Sequence, residues 1–548
     1  MTDPLLDFGD RLLSGLNRAG VSSASKWAEM YRRTKDNKPW SLARYPWSRE
    51  WHDAQCERGC ILKCAQMSAT ETMLAKGMFA NDVLKRDVLY VLPNKTPDAS
   101  DFSSARFDAA VIASPYLSQL YDRSNVGHKR TGVANFYIRG GQSRAGLKSV
   151  PVYLLILDEL DEMNQENIPL AYERTSGQLE KSIWELSTPT ITDHGIAKSF
   201  DESTQEHFFF SCPLCSKMTE LVYPECLEII GDDPNSIETL KESFLKCKEC
   251  NGRLSHLDKM HMFKDAQWVP SITGRDKRGF YINQLYSMTV TPGEIAIAAI
   301  KARMTAIDEQ EFFNSKLGLP HTPNGAKLND ALLKNCMVDY LNGAPAGNKI
   351  VTMGVDVGSW LHYEIDEWTL GESVAGDVNV NAIPRALKID KARDFQELDT
   401  LMEEYRVNHC VIDAHPERRK AKEFADRFWG RVSMCIYAQG ISGKLLNVHS
   451  SQFGEPFVSV DRTSWMDQAL GRIKTARYVI PRNVYFEFLT HMCVPARIMT
   501  RDSSGNPIAT WLTPSGKADH HAHARNYAEI ALPLACSAGQ NYDMESPL

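Results

Sequence analysis

Four short apolar runs, CILKCA, VLYVLP, ANFYIRG and VYLLILDE, alternate with helical patterns between about residues 45 and 190, and this alternation restricts the fold most. A strand that is apolar on both faces must be covered on both faces, so the pattern predicts an α/β fold with a mostly parallel sheet flanked by helices. The pattern breaks at 200–290, where cysteine pairs, turn residues and aromatics dominate, and helical periodicity resumes in PGEIAIAAIKARMTAIDEQEFFNSKLG. LNGAPAGNK, at 341–349, has the composition of a linker, and KIVTMGVDVG opens a second strand-and-helix block. The 548 residues suit two or three domains. The boundaries read as a helical segment at 1–40, an α/β domain at 41–345 with an insertion at 200–290, and a second α/β domain at 350–548. Helices are expected around LLDFGDRLLSGL and SASKWAEMYRRTK. No apolar run reaches the roughly 18 residues that would span a bilayer. The amino terminus has early acids and no basic region, so no signal peptide is expected.

The stretch KCAQMSAT, residues 63–70, lies between the first apolar strand and a helical pattern, the context of a phosphate-cradling P-loop. On the usual pattern Thr70 takes the hydroxyl position, Ser68 replaces the second glycine and Ala69 stands where lysine is required. Lysine occurs instead at the first position, as Lys63. A long side chain carrying a point charge can reach the β- and γ-phosphates from there, while the backbone of Gln66, Ser68 and Ala69 cradles them. The alternative is a solvated Lys63. The strand LLIL ends in Asp158, suited to the hydration shell of Mg²⁺, followed by Glu159, which can polarise an attacking water. A later strand ends in Ser187-Thr188-Pro189, placed as a γ-phosphate sensor or coupling turn.

Thirteen cysteines include two CxxC pairs, Cys212–Cys215 and Cys247–Cys250. Four thiolates on two tight turns form a closed, structural Zn²⁺ site; His207 and Cys226 are weaker candidates, and Cys56, Cys60 and Cys64 read as packing thiols. In the last block Asp356 sits mid-strand in VTMGVDVGS, Asp413 ends the strand CVI, and Asp519 begins a helix in GKADHHAHARNYAEIAL. Carboxylates at the ends of separate elements are what two Mg²⁺ or Mn²⁺ ions need to clamp a scissile phosphate. This resembles ribonuclease H-like nucleases. Asp519 could instead be a helix N-cap. Glu364 and Asp366 lie on the next strand; either could be an extra ligand, but alternation on a half-exposed strand favours reading them as its exposed side. The roles of His520, His521 and His523 are open. The net charge of −7 excludes a uniformly basic nucleic-acid coat but allows a local basic groove.

Taken in order, these motifs resemble the large subunit of tailed-phage terminases, specifically the lambda-like family. SKWAEMYRR, ASDFSSARFD, RGFYINQLYS and FFNSKLGLP also look like its segments. The resemblance implies a P-loop ATPase domain with an inserted four-cysteine zinc module, followed by a ribonuclease H-like nuclease domain. It implies ATP-driven packaging of double-stranded DNA into a procapsid and cutting of concatemers. ATP, Mg²⁺ (or Mn²⁺) and Zn²⁺ would be its cofactors. By resemblance Lys63 binds phosphate, Thr70 lies near Mg²⁺, Asp158 and Glu159 act at the strand end, and Ser187 and Thr188 couple. Asp356, Asp413 and Asp519 carry the nuclease. Tyr45, Trp47 and Arg49 are candidates for the adenine, and Arg106, Arg139 and Arg144 for an arginine finger. A small terminase subunit, a portal, a ring of like subunits and the host cytoplasm are implied. A zinc-containing helicase-nuclease is the rival enzyme, although no helicase motifs follow the coupling turn; a degenerate DNA-binding scaffold is the rival non-enzyme.

Overall fold

The computed structural model describes residues 21–548 except 22, 35, 145, 149, 324, 373–378, 439–443, 451–455, 502–506, 538–543 and 546–548. The helix expected around LLDFGDRLLSGL therefore lies outside the described residues. The chain divides into two compact units, Met1–Pro323 and Asn324–Leu548.

In the first unit all four apolar runs are strands. They are β1 (Arg58–Lys63), β2 (Val88–Leu92), β3 (Ala134–Gly140) and β4 (Leu154–Asp158), with helix α1 (Ala69–Asp82) following β1. They are joined by β5 (Ser182–Ser187), β6 (Glu206–Ser211), β7 (Gln267–Pro270) and β8 (Lys277–Ile282). The strand order is β7-β6-β8-β1-β5-β4-β2-β3, continued by a hairpin within 123–131. Pairing is parallel from β6 to β3, with antiparallel strands at both edges. Alternation explains the apolar runs. Leu154 and Ile156 of β4 enter one core layer, while Leu155 and Leu157 enter the layer on the opposite face. Each layer removes fully apolar strand surface from water, at about 25 cal/mol per Å².

The interval 200–290 is not a self-contained insertion. Its ends supply β6 and β8, and β8 lies directly beside β1 in register Arg58↔Lys277 to Lys63↔Ile282. The segment KRGFYI, with two cations and a glycine, has no strand signature of its own. It becomes a strand by pairing with β1 and β6, and Gly279 lets it lie against Ser203 and Cys60, where a Cβ would find no room.

The second unit is built on β9 (Ile350–Val357), β10 (Leu361–Thr369), β11 (Ile383–Ala392), β12 (His409–Asp413), β13 (Val432–Tyr437), β14 (Lys444–Ser450) and β15 (Pro456–Val460). Helices α2 (Arg462–Lys474), α3 (Phe486–Cys493) and α4 (His520–Cys536) accompany it. The order is β11-β10-β9-β12-β13-β15-β14, antiparallel across β11-β10-β9, then parallel from β9 to β15. Helix α4 crosses β9 at Gly354, where a Cβ would stand 2.1 Å from the carbonyl oxygen of Ala524. Glycine there lets helix and strand backbones approach closely. The division between units precedes the linker-like segment: the Asn342 side chain bonds both the carbonyl and the N–H of Ile389 on β11, at 2.8 and 2.9 Å.

Candidate functional site

Lys63 ends β1, Ser187 ends β5 and Asp158 ends β4, so three adjacent parallel strands deliver their terminal side chains to one edge. That carboxyl edge is where open α/β sheets bind ligands. A cavity of about 770 Å³ opens there, lined by the loop 65–71 together with Lys63, Glu159, Thr188, Tyr45 and Arg106. Loop residues Gln66 and Ser68 both take left-handed backbone conformations, with φ of 65° and 66°. Ser68 thus adopts the conformation that a glycine would take without strain, at a cost of about 1 kcal/mol.

Lys63 is buried, not solvated, and its Nζ donates to Glu159 Oε1 at 2.9 Å and to Thr188 Oγ1 at 3.5 Å. The other Glu159 oxygen accepts from Ser187 Oγ at 3.3 Å and the Thr188 N–H at 3.4 Å. Partial burial opposes the Glu159 charge, but the Lys63 ammonium outweighs it and holds the carboxyl below its usual range. Asp158 is fully enclosed. Burial, reinforced by the Glu159 charge, pushes it up to about 6 against the pull of Lys63, Tyr90 and Thr70. Tyr90 donates to Asp158 Oδ2 at 2.6 Å, whereas Oδ1 is buried without a hydrogen-bond partner. A carboxyl with one oxygen left without a hydrogen-bond partner, beside the Thr70 hydroxyl, fits a hydrated hard cation.

Several partners were not legible in the sequence. Asp161 accepts from Thr190 N–H and Oγ1, both at 2.8 Å, tying the segment after β4 to the segment after β5. Glu71 of α1 is gripped by Arg32 at 2.6 Å and Arg106 at 2.9 Å. Of the three arginine candidates, Arg106 lines the cavity; Arg139 donates to the carbonyl of Ile138 at 2.9 Å, and Arg144 is exposed on a turn. Among the adenine candidates Tyr45 lines the cavity. Trp47 is buried beneath the loop, donating to Met67 O at 3.1 Å, and Arg49 pairs with Glu29 at 3.9 Å.

The two CxxC turns are built alike. Cys212 and Cys247 each accept from the N–H two residues on, at 3.4 Å. Ser216 and Asn251, one past each pair, are left-handed and return their N–H to the first cysteine's carbonyl, at 2.8 Å in both. One sulfur from each of Cys212, Cys215, Cys247 and Cys250 lies within 4.8 Å of the others. Tetrahedral thiolate ligation fits that donor set. Cys226 instead donates to Glu220 O at 3.4 Å, and His207 pairs with Glu220 at 2.8 Å.

In the second unit Asp356 is carried on the central strand β9 and Asp413 ends its parallel neighbour β12. Asp519 stands at the N-cap position of α4, but its side chain makes no capping hydrogen bond. The hydroxyl of Thr513 binds it, and His523 pairs with it at 3.3 Å. Burial opposes its charge, but His523 and these contacts hold it well below the carboxylate range. Burial pushes Asp413 up to about 6, with the Asp356 charge adding to the shift. His520 Nδ1 pairs with Asp356 Oδ2 at 2.8 Å, and that bond raises the imidazole above its ordinary value. The three carboxylates are not among the clusters, within the described residues, whose ligand atoms all fall inside 4.8 Å. One of those clusters instead joins Asp356 to His362 and His520. Glu364 and Asp366 are not exposed: both have no accessible surface, and Arg525 Nη1 binds both, at 3.1 Å to Glu364. β10 is buried on both faces because α4 covers one of them, and a buried acid must be paired.

Comparison with known proteins adds two matches over separate spans. Residues 35–268 match the family model of the phage terminase large subunit gpA ATPase domain, and residues 277–538 that of the terminase large subunit gpA endonuclease domain. The second match begins at β8, which belongs to the sheet of the first unit. Among solved structures, the chain is similar to the large terminase of bacteriophage HK97, with 11% identity over 93% of this chain and 99% of that one and a TM-score of 0.47. It is similar to the large terminase of a thermophilic bacteriophage, at 11% identity over 90% and 100%, TM-score 0.30. It is also similar to the large terminase nuclease of thermophilic phage G20c with bound magnesium, at 12% identity over 38% and 98%, TM-score 0.24. No curated protein matches the chain.

Proposed function

The chain belongs to the phage terminase large subunits of the gpA type, and from that premise we propose that Lys63, Asp158 and Glu159 run ATP hydrolysis while Asp356, Asp413 and Asp519 cut DNA. The enzyme packages double-stranded phage DNA and cleaves the concatemer. The observation that carries the ATPase assignment is the ion pair of the P-loop's first-position lysine with the catalytic glutamate, at 2.9 Å.

ATP would sit in the loop cavity with its phosphates on the N–H groups of residues 65–70 and its base near Tyr45. Mg²⁺, held by Thr70 and the partnerless oxygen of Asp158, would supply charge neutralisation between the phosphates. Lys63 exchanges its Glu159 partner for phosphate oxygens. Glu159, so released, orients the attacking water and accepts its proton. Ser187 and Thr188 hold the second Glu159 oxygen and sense the change, passing it to Asp161 through the turn that bears Thr190. Arg106 is the cavity's candidate for stabilising transition-state charge.

In the second unit the three carboxylates would hold two Mg²⁺ or Mn²⁺ ions, which supply an activated water and neutralise the leaving oxygen. His520 and His523 orient Asp356 and Asp519. The exposed cations Arg418, Arg419 and Lys420 lie just beyond Asp413, where they attract the DNA backbone electrostatically. The four thiolates hold a structural Zn²⁺. Packaging further requires a ring of this subunit on a portal, a small terminase subunit to choose the DNA site, and the host cytoplasm as the working compartment. No helix of the described residues is long and apolar enough to cross a membrane.

DNA-stimulated phosphate release, measured with and without Lys63→Ala, tests the assignment. Loss of release in the variant supports it, and wild-type release would show that Lys63 is a structural lysine.

A further inference from the structure

Three histidines of the second unit converge from three elements: His362 from β10, His491 from α3 and His521 from α4. One ring nitrogen of each lies within 4.8 Å of the other two. All three residues are buried, at 3%, 7% and 0% exposure. In each, Nδ1 is shut off from water and makes no hydrogen bond. A buried polar atom left unsatisfied is costly, and three in one place call for a common partner.

On two of the three rings Nε2 is already engaged. His362 Nε2 meets Glu487 Oε1 at 3.3 Å, and His521 Nε2 meets the Tyr485 hydroxyl. A carboxylate can only accept, so His362 carries its proton on Nε2 and its lone pair on Nδ1. Glu487 is itself fixed by Lys391 at 2.7 Å. An acceptor on one imidazole nitrogen, freeing the other, is the arrangement that orients histidine ligands around a metal.

We propose that His362, His491 and His521 bind one divalent transition-metal ion, of the Zn²⁺ class, at a site apart from the four thiolates and adjoining the nuclease carboxylate Asp356, an oxygen of which lies within 4.8 Å of a His362 ring nitrogen. Neutral imidazoles favour such ions over Mg²⁺ or Ca²⁺. Tetrahedral ligation at ordinary Zn–N lengths needs nitrogens about 3.4 Å apart, a contraction that side-chain torsions can supply. The fourth position would take water. The ion would act on the nuclease site through one ring contact. His362 stacks on His520, with centroids 4.6 Å apart and planes 13° from parallel, and His520 holds Asp356. His362 is therefore a positioning residue whose own position the ion fixes.

The test counts metal in the full chain. An Asp413→Asn background weakens the carboxylate site so that its ions are not counted. Protein is stripped with chelator, loaded with Zn²⁺, desalted and analysed for zinc, then reloaded with Co²⁺ for visible spectroscopy. Two zinc ions per chain are expected. Adding His491→Phe, which keeps a ring of similar volume, should leave one, and so should His491→Gln. The Co²⁺ ligand-field absorption of a nitrogen-ligated site should vanish in both, while thiolate-to-cobalt charge transfer from the cysteine site persists. A cooperative unfolding transition identifies the folded variant to be counted. If a folded variant keeps two zinc ions, or the parent binds only the ion that Cys247→Ser removes, the inference is wrong and the three rings are a packed histidine cluster.

Discussion

Lys63 and Glu159, 96 residues apart in the chain, meet as an ion pair of 2.9 Å at the carboxyl edge of the first sheet. Each is the other's charged partner. In the proposed mechanism phosphate takes the lysine from the glutamate, so that binding would be coupled to activation.

Glu159→Gln should therefore retain ATP and lose turnover. The amide keeps the shape but cannot take the proton from water, and losses of this kind are on the order of a hundredfold or more. Equilibrium binding of a fluorescent ATP analogue beside phosphate release checks both halves. Undiminished turnover would remove Glu159 from the mechanism.

Ser68→Gly should stabilise the first unit. Ser68 sits at φ 66° and ψ 16°, and glycine adopts that conformation freely. The expected gain is about 1 kcal/mol, read from the urea midpoint. Destabilisation would mean that the side chain contributes more than its strain.

Glu185 should set an acid limit on stability. It is buried beside Lys277, with Nζ to Oε2 at 2.8 Å, and Tyr172 donates to its other oxygen at 2.5 Å. Burial opposes its charge, but Lys277 and the hydroxyl donors hold the carboxyl below its ordinary value. A depressed folded-state value stabilises above the unfolded value of about 4.3 and is lost as pH falls through the folded one. Glu185→Gln strands Lys277, so it should cost about 3–5 kcal/mol near neutral pH. The gap between variant and wild type should narrow below about pH 4. Parallel unfolding curves at every pH would contradict this.

Cys247→Ser should remove one Zn²⁺ per chain and raise hydrogen exchange over residues 206–254, since structural zinc contributes directly to folding. Elemental analysis of protein purified without chelator is the control. No zinc in the wild type would mean that the four sulfurs are a reduced thiol cluster.

Asp356→Asn should cut DNA cleavage by orders of magnitude and leave ATP hydrolysis nearly unchanged. The substitution keeps the shape on β9 but removes a charge needed to draw in two cations. Plasmid nicking with Mn²⁺ and phosphate release on one preparation make the comparison. Retained nicking would make Asp356 a buried core aspartate. Loss of both activities would indicate a misfolded protein.

Local chemistry alone was legible in the sequence. Fully apolar runs declared parallel strands because a two-faced core leaves no polar alternation. The CxxC pairs declared their turns because four residues close each one. Asp158 and Ser187 were legible because each ends an apolar strand, and Lys63 because it opens the stretch between the first strand and its helix. Tertiary structure decided what depends on neighbours distant in the chain. KRGFYI became the strand beside β1, and Trp47 went under the loop, leaving Tyr45 at the cavity. Glu364 and Asp366, read as facing solvent, were buried on Arg525 when α4 covered β10. His362, His491 and His521 came together from three elements. Periodicity records the face a residue presents within its own strand or helix. It does not record what packs on that face, so burial of a charge and convergence of ligands exist only once the sheet is covered.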